Sequence, residues 1–138
     1  MDVKRINDHI SVSGQISPED IAALKAQGYT TIINNRPDGE APDQPAAIEI
    51  EAAAKAAGLG YHHIPLGRTG VTAEMVEQTK AALEQSEGPV FAFCRSGTRS
   101  TTLWALSQAG SMPAAEIIAA AGQAGYDVSH LAAYLNQD

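Results

Sequence analysis

Cys94 is the only cysteine of the 138-residue chain, and it opens the stretch Cys94-Arg95-Ser96-Gly97-Thr98-Arg99-Ser100. The thiolate is the nucleophilic form of cysteine, and its pKa, about 8.5 when free, falls to about 3.5–7.5 at a helix N-terminus beside arginine. Arg95 and Arg99 flank this thiol. Gly97 lets the backbone curl, Arg99 carries the fork that clamps a tetrahedral oxyanion bidentately, and the amides of Ser96, Gly97, Thr98 and Arg99 can converge on the same anion. Arg95 draws anionic donors inward, and Ser100 donates a hydrogen bond that tunes the thiolate. These residue types fit nucleophilic chemistry on a small anion, with Cys94, Arg99 and Ser100 catalytic and Arg95, Ser96, Gly97 and Thr98 binding the anion. The bland alternative, a buried structural cysteine beside unrelated arginines, accounts for neither the glycine nor the paired arginines.

Such a loop needs a strand before it and a helix after it. Val90-Phe91-Ala92-Phe93 is an apolar run that reads as a buried strand, and Thr101-Thr102-Leu103-Trp104-Ala105-Leu106 reads as a helix starting near Ser100. In a strand-loop-helix unit the free backbone N–H groups and the positive end of the helix dipole point at one spot, which forms an anion site.

The rest of the chain alternates in the same way. His9–Ser13 reads as a short strand ended by Gly14. Ser17-Pro18-Glu19-Asp20 gives an N-cap, a first-turn proline and acid, opening a helix through Ile21 and Leu24 to Gly28. Tyr29–Asn34 is β-branched and reads as a strand, followed by a long loop from Asn35 to Gln44. A helix over Pro45–Ala57, a strand over Tyr61–Ile64, a loop over Pro65–Val71 and a helix capped by Thr72 and running to Gln85 come next. After the cysteine loop and its helix, an alanine-rich helix follows Pro113, and a last helix opens at Gly125-Tyr126-Asp127, with Leu131, Tyr134 and Leu135 as its apolar face. Trp104 reads as core and Asp127 as a helix cap. Alternating strands and helices predict one α/β domain over residues 1–138, with a mainly parallel sheet of about four to five strands covered by helices.

Composition narrows the partners. Hydrophobic residues make up 44% and charged residues 18%, and the net charge is −7. That balance argues for an ordinary globular domain and against nucleic acid or an anionic membrane surface as partner. One cysteine excludes an internal disulfide and a cysteine-rich zinc site, so no metal or cofactor is expected. Met1-Asp2-Val3-Lys4-Arg5 has no apolar signal core, and no run of about 18 apolar residues is present, so a cytoplasmic location is expected. His62 and His63 are neighbours on a strand, point to opposite faces and cannot chelate together. Arg36 and Arg68 lie on loops at the carboxyl edge of the strands, where α/β folds bind ligands, and are candidates to extend the anion pocket.

The cysteine loop resembles that of rhodanese-type sulfurtransferases, in which a cysteine accepts a sulfane sulfur and a six-residue loop ending in arginine cradles it. It also resembles the cysteine-phosphatase signature, with two departures: four residues rather than five separate Cys94 from Arg99, and Phe93 stands where that signature usually has histidine. Val12-Ser13-Gly14-Gln15-Ile16, Ile32-Ile33-Asn34-Asn35-Arg36-Pro37, His63-Ile64-Pro65 and Gly125-Tyr126-Asp127 resemble the phosphatase-like domain of the β-lactamase-hydrolase-like proteins. This resemblance spans nearly the whole chain. It implies a dual-specificity-phosphatase-like fold, small-sulfurtransferase activity, and a persulfide-handling metallo-β-lactamase-like partner domain.

The two chemistries differ in their need for an acid. Hydrolysis of a phosphoester needs a proton donor for the leaving oxygen, normally an aspartate on a mobile loop. The corresponding loop, Leu66-Gly67-Arg68-Thr69-Gly70-Val71, has no carboxylate. Glu74 sits in the first turn of a helix, where the dipole favours an acid, and Asp38, Glu40 and Asp43 lie on the other edge loop. Sulfur transfer has no such requirement, because thiosulfate releases sulfite when a thiolate attacks. The sequence therefore predicts a persulfide on Cys94, with thiosulfate or a persulfide as substrate. A phosphatase on phosphotyrosine or a small phosphoester is the alternative, and a non-catalytic anion-binding module is the third.

Overall fold

The computed structural model describes residues 1–136. The expected domain runs to Asp138, and Gln137 and Asp138 lie outside the described residues. In chain order the elements are β1 (Lys4–Arg5), β2 (Ile10–Ser13), α1 (Asp20–Ala26), β3 (Thr31–Asn34), α2 (Ala47–Ala56), β4 (Gly60–His63), α3 (Ala73–Gln85), β5 (Val90–Phe93), α4 (Thr98–Ser107) and α5 (Ala114–Gln123). A 3-10 turn over Ser129–Leu131 leads into α6 (Ala132–Leu135).

The five strands lie in the order β1-β2-β5-β3-β4. The pairs β2–β5, β5–β3 and β3–β4 are parallel. β5 thus sits in the middle, with Phe93 opposite Ser13 on one side and Asn34 on the other. All four residues of β2, β3 and β5 are buried, as expected for parallel strands covered on both faces.

Alternation along β5 divides the core. Val90 and Ala92 join Ile10, Val12 and Ile33 beneath Leu103, Trp104, Ile117 and Ala121 of α4 and α5. Phe91 and Phe93 face the other way and join Ile32 against Ile21 and Leu24 of α1 and Ile50 and Ala54 of α2. The result is a three-layer α/β/α sandwich whose central strand is fixed by apolar burial on both sides, each large side chain contributing roughly 1.5–3 kcal/mol.

Several expectations are corrected in detail. β1 pairs antiparallel with β2, through Lys4 opposite Val12, and adds an edge strand where none is expected from the sequence. The first helix starts at Asp20 rather than next to Ser17. The Asp20 carboxylate instead accepts hydrogen bonds from the Ser17 amide and hydroxyl at 2.9 and 3.2 Å, which closes a turn over Pro18 and Glu19. α4 begins at Thr98, so Arg99 and Ser100 belong to its first turn. The last helix starts late as well, because Asp127 Oδ1 accepts from the amide of Ser129 at 2.8 Å and holds a turn there. Leu135 is buried as expected, whereas Tyr134 is 66% exposed and is not part of the apolar face. Among the described residues, no helix is long and apolar enough to cross a membrane.

Candidate active site

β5 delivers Cys94 to the carboxyl edge of the sheet, between the ends of β2 and β3. The Cys94 amide donates to the Ser13 carbonyl at 3.3 Å, and the Phe93 carbonyl accepts from the Asn35 amide at 2.8 Å, so both neighbouring chain ends are tied to the root of the loop. The loop also presses on Gly14: a Cβ there would meet the Arg95 carbonyl oxygen at 2.7 Å. The glycine that ends β2 therefore makes room for the cysteine loop.

Gly97 turns the chain into α4 with φ 92°, in the left-handed region that favours glycine. Its carbonyl accepts from the amide and hydroxyl of Thr101 at 3.0 and 2.8 Å, which starts the helix. Its amide points inward and donates to Cys94 Sγ at 3.0 Å. Burial pushes the Cys94 thiol up, but the backbone N–H groups of Ser100, Ser96 and Gly97, with the Ser100 hydroxyl, outweigh it and hold the thiol below its ordinary value. Ser100 is buried, and its hydroxyl is the one buried side-chain polar atom among the described residues without a partner of ordinary hydrogen-bond geometry. Leaving such a group unpaired costs about 1–3 kcal/mol, and the developing thiolate is the acceptor that offsets it. Cys94, Gly97 and Ser100 thus come together in one loop, whose donors favour a negative sulfur.

Arg99 is differently engaged from the free clamp expected. Its Nη1 and Nη2 donate to Glu40 Oε2 and Oε1 at 2.8 and 2.9 Å, and Nη1 also donates to the Leu66 carbonyl at 2.8 Å. The hydrogen bond from Arg99, opposed by partial burial and helped by Arg36, holds the Glu40 carboxyl at about 2. Arg36 is the clearest correction. Although it lies on an edge loop, it is 5% exposed and does not face the cleft as an anion ligand. Its Nε donates to Glu40 Oε1 at 2.9 Å and its Nη1 to Gln15 Oε1 at 3.1 Å. His63 meets the Arg36 carbonyl through Nε2 at 3.1 Å, so this histidine braces the same loop.

Beside the pair lies a cleft of about 480 Å³ lined by Pro37, Gly39, Glu40, Gly67, Arg68, Arg95 and Arg99. Arg68 and Arg95 are exposed at its mouth, and Ser96 and Thr98 are exposed with their hydroxyls 3.2 Å apart. Cys94 is 0% exposed and is not among the residues that line this cleft. Glu74 stays on the surface of α3, accepting from Gln78 at 3.4 Å, and Asp38 accepts from the Ala47 amide at 2.7 Å to cap α2. Among the described residues, no group of three or more His, Cys, Asp or Glu could hold a metal.

Two contributors carry no local sequence signal. Glu40 reaches Arg99 across 59 positions of sequence. Tyr126 donates to the Ser96 carbonyl at 2.9 Å, turning that carbonyl away from the sulfur. The signal that points to Glu40 is topological: acids on the loop after β3 border the loop after β5, because those strands are neighbours.

The sequence profile of the family described as "Beta-lactamase hydrolase-like protein, phosphatase-like domain" matches residues 2–111, which include the cysteine loop, Glu40 and Arg36. The chain belongs to that family. A Beta-lactamase hydrolase-like protein of Agrobacterium fabrum is 41% identical over 109 residues, 79% of this chain and 25% of its own length. One of Xylella fastidiosa is 35% identical over 139 aligned residues, 99% of this chain and 32% of its own. The domain thus spans a quarter to a third of the length of these curated relatives. A crystal structure from Neisseria meningitidis superposes with a TM-score of 0.82 at 34% identity, covering 98% of this chain and 96% of that one. PTPMT1 in complex with PI(5)P, at 17% identity and TM-score 0.74 over 98% of this chain and 93% of its own, shares the fold. The architecture is the phosphatase-like fold that the resemblance implied.

Proposed function

We propose that this phosphatase-like domain transfers sulfane sulfur through a persulfide on Cys94. The observation that carries this reading is the state of Glu40. Among the described residues it is the carboxylate that hydrogen-bonds a side chain of the loop, and it is committed to Arg99 and Arg36 and held at about 2. A carboxylate in that state is ionised at neutral pH and has no proton to give a leaving alkoxide or phenoxide. Sulfur transfer proceeds without one. The Cys94 thiolate attacks the outer sulfur of thiosulfate, the S–S bond breaks, and sulfite departs with the bonding pair, leaving a persulfide. An acceptor thiolate or cyanide then takes the outer sulfur and regenerates the Cys94 thiolate. The loop amides and Arg99 stabilise the departing oxyanion, while exposed Arg95 and Arg68 attract the donor. Arg36 serves this set from behind, through Glu40.

The setting we propose is the cytoplasm, with a persulfide-handling metallo-β-lactamase-like protein or domain as the partner that supplies or consumes the sulfur. The test is mass spectrometry of the intact protein. Thiosulfate should add one sulfur atom to Cys94, cyanide should remove it, and Cys94→Ser should take up none. Absence of uptake, or full sulfur transfer by the serine variant, overturns the reading.

A phosphatase is the second reading, favoured by the fold it shares with PTPMT1 in complex with PI(5)P. It expects hydrolysis of an aryl phosphate that depends on Cys94. Absence of that hydrolysis with sulfur transfer intact counts against it.

A further inference from the structure

We infer that Glu40 is a positioning residue: it grips Arg99 end-on and so presents the other edge of the guanidinium to the anion above Cys94. The inference deepens the reading above, since it rests on Arg99 as the group that clamps the anion.

A guanidinium carries five N–H bonds in a fixed plane. Both Glu40 oxygens take the end formed by Nη1 and Nη2, and the Leu66 carbonyl takes the second Nη1 hydrogen. The remaining two, on Nε and Nη2, lie side by side on one edge and donate to no oxygen among the described residues. Two parallel N–H bonds are the fork that receives two oxygens of a tetrahedral anion. Arg99 also lies within reach of the Cys94 charge, which acts on its guanidinium. Glu40 itself cannot swing away cheaply. Arg36, buried beneath it and anchored by Gln15 and by its own amide on Asn34 Oδ1 at 2.9 Å, holds the carboxylate from behind.

An opposite interpretation of the same contact is that Glu40 simply occupies the anion site and competes with substrate. The two make predictions of opposite sign. Replacing Glu40 by glutamine or alanine removes a negative charge next to the site, so competition or bare electrostatics requires tighter anion binding. Positioning requires weaker binding despite the favourable change in charge.

The experiment is a titration of the full chain with inorganic phosphate and, separately, thiosulfate at neutral pH, followed by NMR at the arginine Nε–Hε resonances. The Arg99 signal is assigned by its loss in Arg99→Ala. In the wild type the Arg99 Nε–Hε signal should shift on anion binding. In Glu40→Gln and Glu40→Ala the dissociation constant should rise about tenfold, the size expected when a contacting partner is removed. In the Arg99→Ala background the same changes at Glu40 should have no further effect, which a general loss of stability would not reproduce. Unchanged or tighter binding in the Glu40 variants, or an equal loss in the Arg99→Ala background, overturns the inference. A wild-type Arg99 signal that ignores both anions overturns it together with the anion site. Failure of sulfur uptake on Cys94 alone removes the sulfur reading and leaves this result standing.

Discussion

Tyr126 holds Ser96 from outside the loop: its hydroxyl donates to the Ser96 carbonyl at 2.9 Å across 30 positions of sequence. By fixing that carbonyl outward, the bond turns the following amide, that of Gly97, toward Cys94. The phenol is itself raised above its ordinary pKa, first by burial and then by the Cys94 charge, so it remains a donor at working pH.

Tyr126→Phe should therefore act on chemistry more than on folding. Loss of one such hydrogen bond costs about 0.5–1.5 kcal/mol of stability. The larger effect should be a slower alkylation of Cys94 by iodoacetamide, with the midpoint of its pH dependence moved upward. An unchanged midpoint would show that the loop keeps its amides in place without the tether.

Gly97→Ala should be worse, and for two separable reasons. The backbone there has φ 92°, which costs an L-residue roughly 1–2 kcal/mol, and a Cβ would overlap the Tyr126 hydroxyl. Removing that hydroxyl does not make room, since the ring carbon bearing it would still lie 2.9 Å from the new Cβ. Gly97→Ala combined with Tyr126→Phe should accordingly stay impaired in both thermal stability and thiol reactivity. Recovery of the double variant to the level of Tyr126→Phe alone would contradict this geometry.

The parts of the site that lie close together in sequence were legible. An apolar run at Val90–Phe93, a glycine three residues past the cysteine and paired arginines dictate a strand, a turn and an anion-binding helix start. They do so whatever the rest of the chain contributes. What the sequence hid are the contacts made by topology. Placing β5 between β2 and β3 brings Gly14 and Glu40 against the loop and Arg36 behind Glu40, and neither composition nor spacing reports that order. Arg36 illustrates the difference: its position at the ligand edge was readable, but burial by Gln15 and Glu40 turns it from a ligand candidate into a support. Tyr126 belonged to a recognisable segment, yet its role depends on α5 crossing α4 so that the residue after Gly125 reaches Ser96.

The stability of the fold should depend on pH through Cys94. The folded thiol lies below its ordinary value of about 8.5, so between the two values the unfolded chain binds more protons and stability rises with pH. The thiolate contribution is complete above about 9 and is lost as pH falls through the folded pKa. Urea unfolding of wild type and Cys94→Ser should give a stability difference that grows toward pH 9. Ser100→Ala, which removes the buried hydroxyl that serves the sulfur, should flatten that growth. A difference independent of pH would mean that the thiol titrates alike in both states.

Glu40 sets a second, acidic limit. Its folded value of about 2 lies below the ordinary 4.5. The pair with Arg99 and Arg36 therefore contributes fully above about 4.5, and the contribution is lost as pH falls toward 2. The Glu40 side chain is 30% exposed, so solvent screening limits the contribution to about 1 kcal/mol. Glu40→Gln mimics the protonated form. Wild type should exceed this variant in unfolding free energy by a constant margin from pH 5 to 7, and the margin should close as pH approaches 2. Added salt should shrink the margin only partly, because Arg36 is buried and its bond to Glu40 is poorly screened. A margin that persists at pH 2, or that disappears in salt at pH 7, would show that the carboxylate is held by something other than these two guanidinium groups.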